Sequence, residues 1–278
     1  MITHRIRDFD DAYANGPNIP DGASWPGRWI ERAGPWRERM QAAGRARLDL
    51  AYGKRPRNRF DLFLPEGAPQ GLVVFVHGGY WMRLDKSVWS HLAEGPLAHG
   101  HAVAMPSYTL CPDTRIAGIT AEIGRAVEAA AREVPGPVRL VGHSAGGHLV
   151  SRMISATSPL DPGVAARVVN TVSVSGVHDL RPLMRTAMNA TLSLDEAEAA
   201  SESPALLAPA PGARLVCIVG GAERAEFRRQ NALLASLWLG LGAETAAHEE
   251  PDTHHFTVID GLADPAGTLT RALLTGAA

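Results

Sequence analysis

A serine held between two glycines, Gly142-His143-Ser144-Ala145-Gly146, stands where the apolar run VRLVGHS gives way to the helix-patterned AGGHLVSRMISA. G-x-S-x-G at a strand-to-helix junction is how a serine hydroxyl is pushed out of a tight turn and presented as a nucleophile. Ala145 opens the helix, so its backbone N–H lacks an intrahelical acceptor and points where an oxyanion would form. A glycine-rich turn that merely contains serine is the plainer reading; the flanking strand and helix favour chemistry. His148, one turn further on, is expected to pack rather than react.

A serine nucleophile of this topology needs an acid and then a histidine, in that chain order. Glu223 lies in VGGAERAEF, just beyond a late apolar strand, in the position of the acid. Asp179, in SGVHDL after the preceding strand, is its rival, with capping of a helix starting at Leu180 as the ordinary alternative role. The loop PDTHHFTVIDGL carries two adjacent histidines; His255 is favoured as the base because it directly precedes Phe256, and His254 is the alternative. A second glycine-rich stretch, VFVHGGYWMRLDKSVW, ends another apolar strand. It is either a tight turn with surface aromatics, or an anion-binding turn built from Gly78, Gly79 and Tyr80 with Tyr80 and Trp81 as a wall for substrate. Its place at a strand end facing Ser144 favours the second.

These residues need a sheet to hold them. LDLAYG and NRFDLFLP alternate apolar and polar positions, as half-exposed antiparallel strands do. GLVVFVHG is continuously apolar, and helical patterns and apolar strands then take turns, which predicts a mostly parallel sheet with helices on both faces. The chain reads as a single α/β domain over 1–278, with an N-terminal arm of about 1–45 and a small helical cap inserted at about 179–209. The arm, rich in Pro, Gly and Trp, predicts a loop leading into a short helix around Gly34 to Ala43. Its Trp25, Trp29 and Trp36 cover either the site or the sheet edge, with packing favoured.

Composition narrows the function class. The 278 residues are 45% hydrophobic and 20% charged with a formal net charge of -2, which argues against an electrostatic grip on nucleic acid or membrane. Apolar runs such as LVVFV are too short to span a bilayer, and MITHRIRDFDDAY lacks the apolar core of a signal peptide, so a cytoplasmic location is expected. Cys111 and Cys217 do not make a disulfide framework. No metal-ligand spacing, P-loop or dinucleotide fingerprint appears, so neither metal nor cofactor is expected. The partner is a small-molecule substrate; the pattern does not reveal oligomeric state, a homodimer included.

His77-Gly78-Gly79-Tyr80-Trp81 together with Gly142-His143-Ser144-Ala145-Gly146 resembles the α/β-hydrolase fold, in the branch of the kynurenine formamidases (arylformamidases). Tyr13-Ala14-Asn15 with Ile19-Pro20, Ser175-Gly176-Val177-His178-Asp179-Leu180, and Glu226-Phe227-Arg228-Arg229-Gln230 are similar to that family's pattern as well, so the resemblance covers most of the chain. One departure stands out: the family usually carries Asp as the triad acid, where Glu223 stands here. The resemblance implies hydrolysis of N-formylkynurenine, a step of tryptophan degradation, through Ser144, His255 and the acid. A carboxylesterase with the same triad is the alternative.

Overall fold

The computed structural model describes residues 5–276; residues 1–4 of the expected N-terminal arm and the last two positions lie outside it. Eight strands form one sheet in the order β1-β2-β4-β3-β5-β6-β7-β8. The first two, β1 (Ala46–Ala51) and β2 (Arg59–Phe63), pair antiparallel, and β2 pairs antiparallel with β4 (Ala102–Pro106). All remaining pairs, through β3 (Leu72–Val76), β5 (Val138–His143), β6 (Val168–Val174), β7 (Arg214–Gly220) and β8 (Glu244–Glu250), are parallel. Every residue of β3 and β4 is buried, as strands covered on both faces must be. Edge strand β1 alternates half-buried with exposed positions, as its sequence pattern requires.

The two faces carry separate apolar layers. One gathers Ile119, Ile123 and Val127 of the Ile116–Glu133 helix with Leu149 and Val150 of the Ala145–Arg152 helix. The other gathers Trp29 and Trp36 with Trp89, Phe75 and Leu273. The carboxyl ends of β3, β5, β6 and β7 lie side by side, so the turns that follow them meet at one rim of the sheet. Those turns hold His77 to Tyr80, Ser144, Ser175 and Glu223.

The arm departs from expectation. In place of a short helix near Gly34, an 18-residue helix runs Trp25–Ala42 through Pro35. Pro26 occupies its first turn, where a missing N–H costs nothing, but Pro35 removes one internal hydrogen bond. Packing outweighs that loss. Trp29, Ala33, Trp36 and Met40 recur at helical spacing and are all buried, and Trp29 lies 4.4 Å from Trp89, centroid to centroid. The periodicity of the tryptophans is a stronger signal than the local helix breakers. KSVWSHLAEGPLAHG is helical, as its pattern predicts, but begins as a 3₁₀ segment, Lys86–Ala93, before the short Glu94–Ala98 α-helix.

Residues 179–209 form short helical pieces: Arg181–Arg185, Asn189–Leu192, Glu196–Ser201 and Pro204–Leu206. Arg115 ties this segment down through Glu198 and Asp195, at 2.7 and 2.9 Å.

Candidate active site

Ser144 terminates β5 with φ 57° and ψ −117°, in the left-handed half of backbone space that a serine avoids. Holding it there costs about 1–3 kcal/mol, which the surroundings must supply. They do so by close approach: a Cβ added to Gly146 would lie 1.9 Å from the Val76 carbonyl oxygen. Only glycine lets the helix start that near β3. The Ser144 N–H donates to Val174 O at 2.8 Å and its carbonyl accepts from His148 N at 3.2 Å, so the strained residue is pinned on both sides.

His255 lies on the loop after β8 and is buried. Its Nδ1 is 2.6 Å from Glu223 Oε2. The other carboxylate oxygen of Glu223 accepts from Ser175 Oγ at 2.5 Å and from Gly220 N at 2.8 Å. The Glu223 side chain is fully buried yet has three hydrogen-bond partners, which satisfy its oxygens and fix it in place. A carboxylate on Nδ1 sets the imidazole tautomer and leaves Nε2 as the free nitrogen. Phe227 packs on the ring at 4.6 Å, and His143 Nε2 donates to the His255 carbonyl at 2.8 Å. Burial, with the His255 ring adjacent, holds the His143 imidazole well below its ordinary pKa, so it stays neutral. Both Ser144 and His255 line one cavity. Ser144 Oγ has no hydrogen bond to the described residues; contacts of this kind commonly tighten only when substrate binds.

Of the alternatives, the geometry brings neither to the histidine. Asp179 accepts from Arg181, from the backbone N at 3.1 Å and from Nε and Nη2 at 2.9 and 2.8 Å. His254 turns away, its ring edge-on to Trp25 at 5.2 Å and its Nδ1 accepting from Phe256 N at 3.2 Å. His148 packs, as expected, with Nε2 donating to the Glu202 carbonyl at 2.7 Å.

The His77-Gly78-Gly79 turn faces Ser144: a Cβ on Gly78 would come within 3.0 Å of the serine Cβ. Gly79 has φ 115°, and an added Cβ would meet Arg83 O at 2.3 Å, so glycine is required there. Met82 N and Arg83 N both donate to Gly79 O, at 3.0 and 3.1 Å, and close the turn. His77 Nδ1, 2.7 Å from Gly78 O, clamps its start. No acceptor among the described residues takes the N–H of Gly79, Tyr80 or Ala145. Ala145 adjoins Ser144 and the turn approaches it at Gly78, so the site has free N–H donors on both sides.

The two aromatics after the turn part company. Tyr80 lines the cavity, but Trp81 does not: it is 1% exposed, in the core, with its ring edge-on to His148 at 5.3 Å. The expectation that Trp81 contacts substrate is therefore corrected. Both residues have left-handed backbone, φ 55° and 59°, and successive side chains fan out around the turn, one to the cavity and the other to the core.

The cavity has a volume of about 810 Å³. Its far wall is the arm, through Tyr13, Asn15, Pro17 and Trp29, with Trp89 and Phe256 beside the histidine; of residues 179–209 only Met188 reaches it. The arm is bolted down by the Tyr80 hydroxyl, which donates to Tyr13 O at 2.8 Å and accepts from Asn15 Nδ2 at 3.1 Å. Tyr13 in turn donates to Glu226 Oε1 at 2.6 Å, and Gln230 Nε2 donates to Tyr13 Oη at 3.1 Å. Gln230 Oε1 also accepts from His178 N and Asp179 N, at 2.9 and 2.8 Å. The Tyr13-Ala14-Asn15, Ser175 to Leu180 and Glu226 to Gln230 stretches thus meet in one network. No group of residues that could hold a metal ion exists among the described residues. No helix among them is long and apolar enough to cross a membrane.

Residues 73–277 match the alpha/beta hydrolase family, and the chain belongs to it. Within that class it is similar to the kynurenine formamidase of Danio rerio, 27% identical over 246 residues that span 85% of this chain and 84% of that protein. The kynurenine formamidase of Salmo salar is 29% identical over 248 residues, with the same coverage of 85% and 84%. A solved structure from Silicibacter sp. TM1040, provisionally described as a thioesterase, is 50% identical with a TM-score of 0.89, covering 96% of this chain and 98% of that one. Esterase B of Lactobacillus rhamnosis shares the fold at 17% identity and a TM-score of 0.66, covering 91% and 93% of the two chains.

Proposed function

We propose that this protein is a serine hydrolase that cleaves N-formylkynurenine or a related aryl formamide to the arylamine and formate. The observation that carries the chemistry is the buried His255–Glu223 contact of 2.6 Å opening onto the cavity that also exposes the strained Ser144. The likeness to two kynurenine formamidases over 85% of the chain carries the substrate.

In this reading His255 Nε2 takes the proton of Ser144 Oγ as the oxygen attacks the formyl carbon. The carbonyl oxygen becomes an oxyanion and receives the N–H groups of Ala145, Gly79 and Tyr80. Each such donor is worth about 2.7–4 kcal/mol of barrier. Protonated His255, stabilised by Glu223, gives its proton to the aniline nitrogen as the C–N bond breaks. Water then attacks the formyl-Ser144 ester with His255 as base, and formate leaves. The glutamate does the work of the family's usual aspartate because Gly220 N and Ser175 Oγ hold its longer side chain from behind.

A carboxylesterase is the second reading, because the Ser144 and His255–Glu223 geometry serves an ester as well as a formamide. The test is kcat/KM on N-formylkynurenine against p-nitrophenyl acetate, p-nitrophenyl butyrate and a small acyl thioester. Preference for the formamide is expected; a clear preference for butyrate would sink the formamidase reading and leave the triad standing.

A further inference from the structure

The cavity wall carries two residues of fixed charge, Asp10 and Arg83. Every other lining side chain apart from the histidines is neutral. Neither of the two has an ion-pair partner among the described residues, although most arginines of the chain do. Arg83 is held all the same: its guanidinium lies over the Tyr80 ring, 5.2 Å from the centroid, and its backbone N donates to Gly79 O at 3.1 Å. It therefore rides on the turn whose Gly78 packs against Ser144. Asp10 is fixed by accepting the Ala187 N–H at 2.7 Å, and it sits one helical turn before Tyr13, whose carbonyl anchors Tyr80. A cation and an anion, each preset by other contacts and each lacking a counter-charge, border one pocket.

We propose that Arg83 and Asp10 are specificity residues for substrates bearing an α-amino acid group, Arg83 receiving the carboxylate and Asp10 the ammonium. This rests on the hydrolase reading of the cavity and deepens it by naming the charged part of the substrate. The rest of the wall carries no fixed charge, so the two charges fix which end of the substrate enters first. A lone cation would favour any acid, and a lone anion any amine. Together they select the zwitterion.

The test compares N-formylkynurenine with N-(2-acetylphenyl)formamide, the same aryl formamide with a methyl group in place of the amino acid, and with the deamino acid that keeps only the carboxylate. The readout is the ratio of kcat/KM values within one protein, which is immune to losses of folded fraction. In the wild type the ratio of N-formylkynurenine to the methyl ketone should be high. R83M should lower it by about tenfold to a hundredfold, with partial recovery in R83K. D10N should lower the preference for N-formylkynurenine over the deamino acid by about tenfold and leave the deamino acid's own advantage over the methyl ketone in place. Ratios unchanged in R83M and D10N overturn the proposal. If no formamide is turned over, the formamidase reading fails by itself. Inhibition of p-nitrophenyl acetate hydrolysis by kynurenine against 2-aminoacetophenone then reads the same two variants: a preference for kynurenine that R83M abolishes supports the charged subsite, and equal inhibition overturns it.

Discussion

Ser144 and Glu223 are costly residues where they stand. The first holds a left-handed backbone and the second a carboxyl group with no exposed surface. Such costs are tolerated where neighbours over-determine the geometry, and here the neighbours can be named. Ser144→Ala should reduce kcat by at least about a thousandfold and abolish labelling by a fluorophosphonate, with Tm unchanged or raised by relief of strain. Retention of more than a few per cent of activity would exclude Ser144 as nucleophile. Ser175 deserves its own variant. It too has a positive φ, 52°, and among the described residues its hydroxyl bonds to Glu223 alone. Ser175→Ala removes one of three donors to a buried carboxylate, a contact to a charged group worth about 1.5–3 kcal/mol. The expected result is a kcat lower by about tenfold with KM nearly constant, and an altered pH–rate profile. A change confined to Tm would make Ser175 purely structural.

At the scale of elements, the arm and the His77 to Arg83 turn act as one wall. Tyr80 is the pin: burial pushes its hydroxyl above the ordinary tyrosine range, so it stays a neutral donor at working pH. Tyr80→Phe strands the Tyr13 carbonyl and the Asn15 amide, each an unpaired group worth about 1–3 kcal/mol when buried. We expect KM for the aryl substrate to rise several-fold, with a smaller change in kcat and easier proteolysis within residues 10–24. A KM and protease pattern identical to wild type would show that the arm is held by its tryptophans alone.

At the scale of the molecule, the buried histidines make stability depend on pH. Burial lowers His77 and His148 to about 4 and His178 to about 3, from an ordinary value of 6.5. A depressed folded pKa means that the unfolded chain takes up these protons first as pH falls. Stability is therefore full above about pH 6.5 and is lost progressively toward pH 4. Each of the three contributes up to about 1.4 kcal/mol per pH unit over that window. Urea unfolding at pH 7.5, 6.0 and 5.0 reads the slope; a flat profile would mean that the unfolded state takes up no extra protons.

Much of this was written in local pattern. Alternation in Arg47 to Leu50 and unbroken apolar runs in β3 and β4 are properties of neighbours along the chain, as is the glycine spacing around Ser144. The sheet and the turn that carries Ser144 followed from them. Proximity across the chain was not local, and there the sequence left choices open. Glu223 and Asp179 are both carboxylates after strands; only the fold shows that Arg181 has taken one and His255 the other. Tyr80 and Trp81 are adjacent aromatics, and only the handedness of the turn sends one to the cavity and the other to the core. The arm looked like a loop because Pro and Gly speak locally, whereas its tryptophans answer to surfaces more than fifty residues away. Residue types and spacings determined which chemistry the chain could attempt; tertiary packing, by choosing among equivalent side chains, decided which of them share the site.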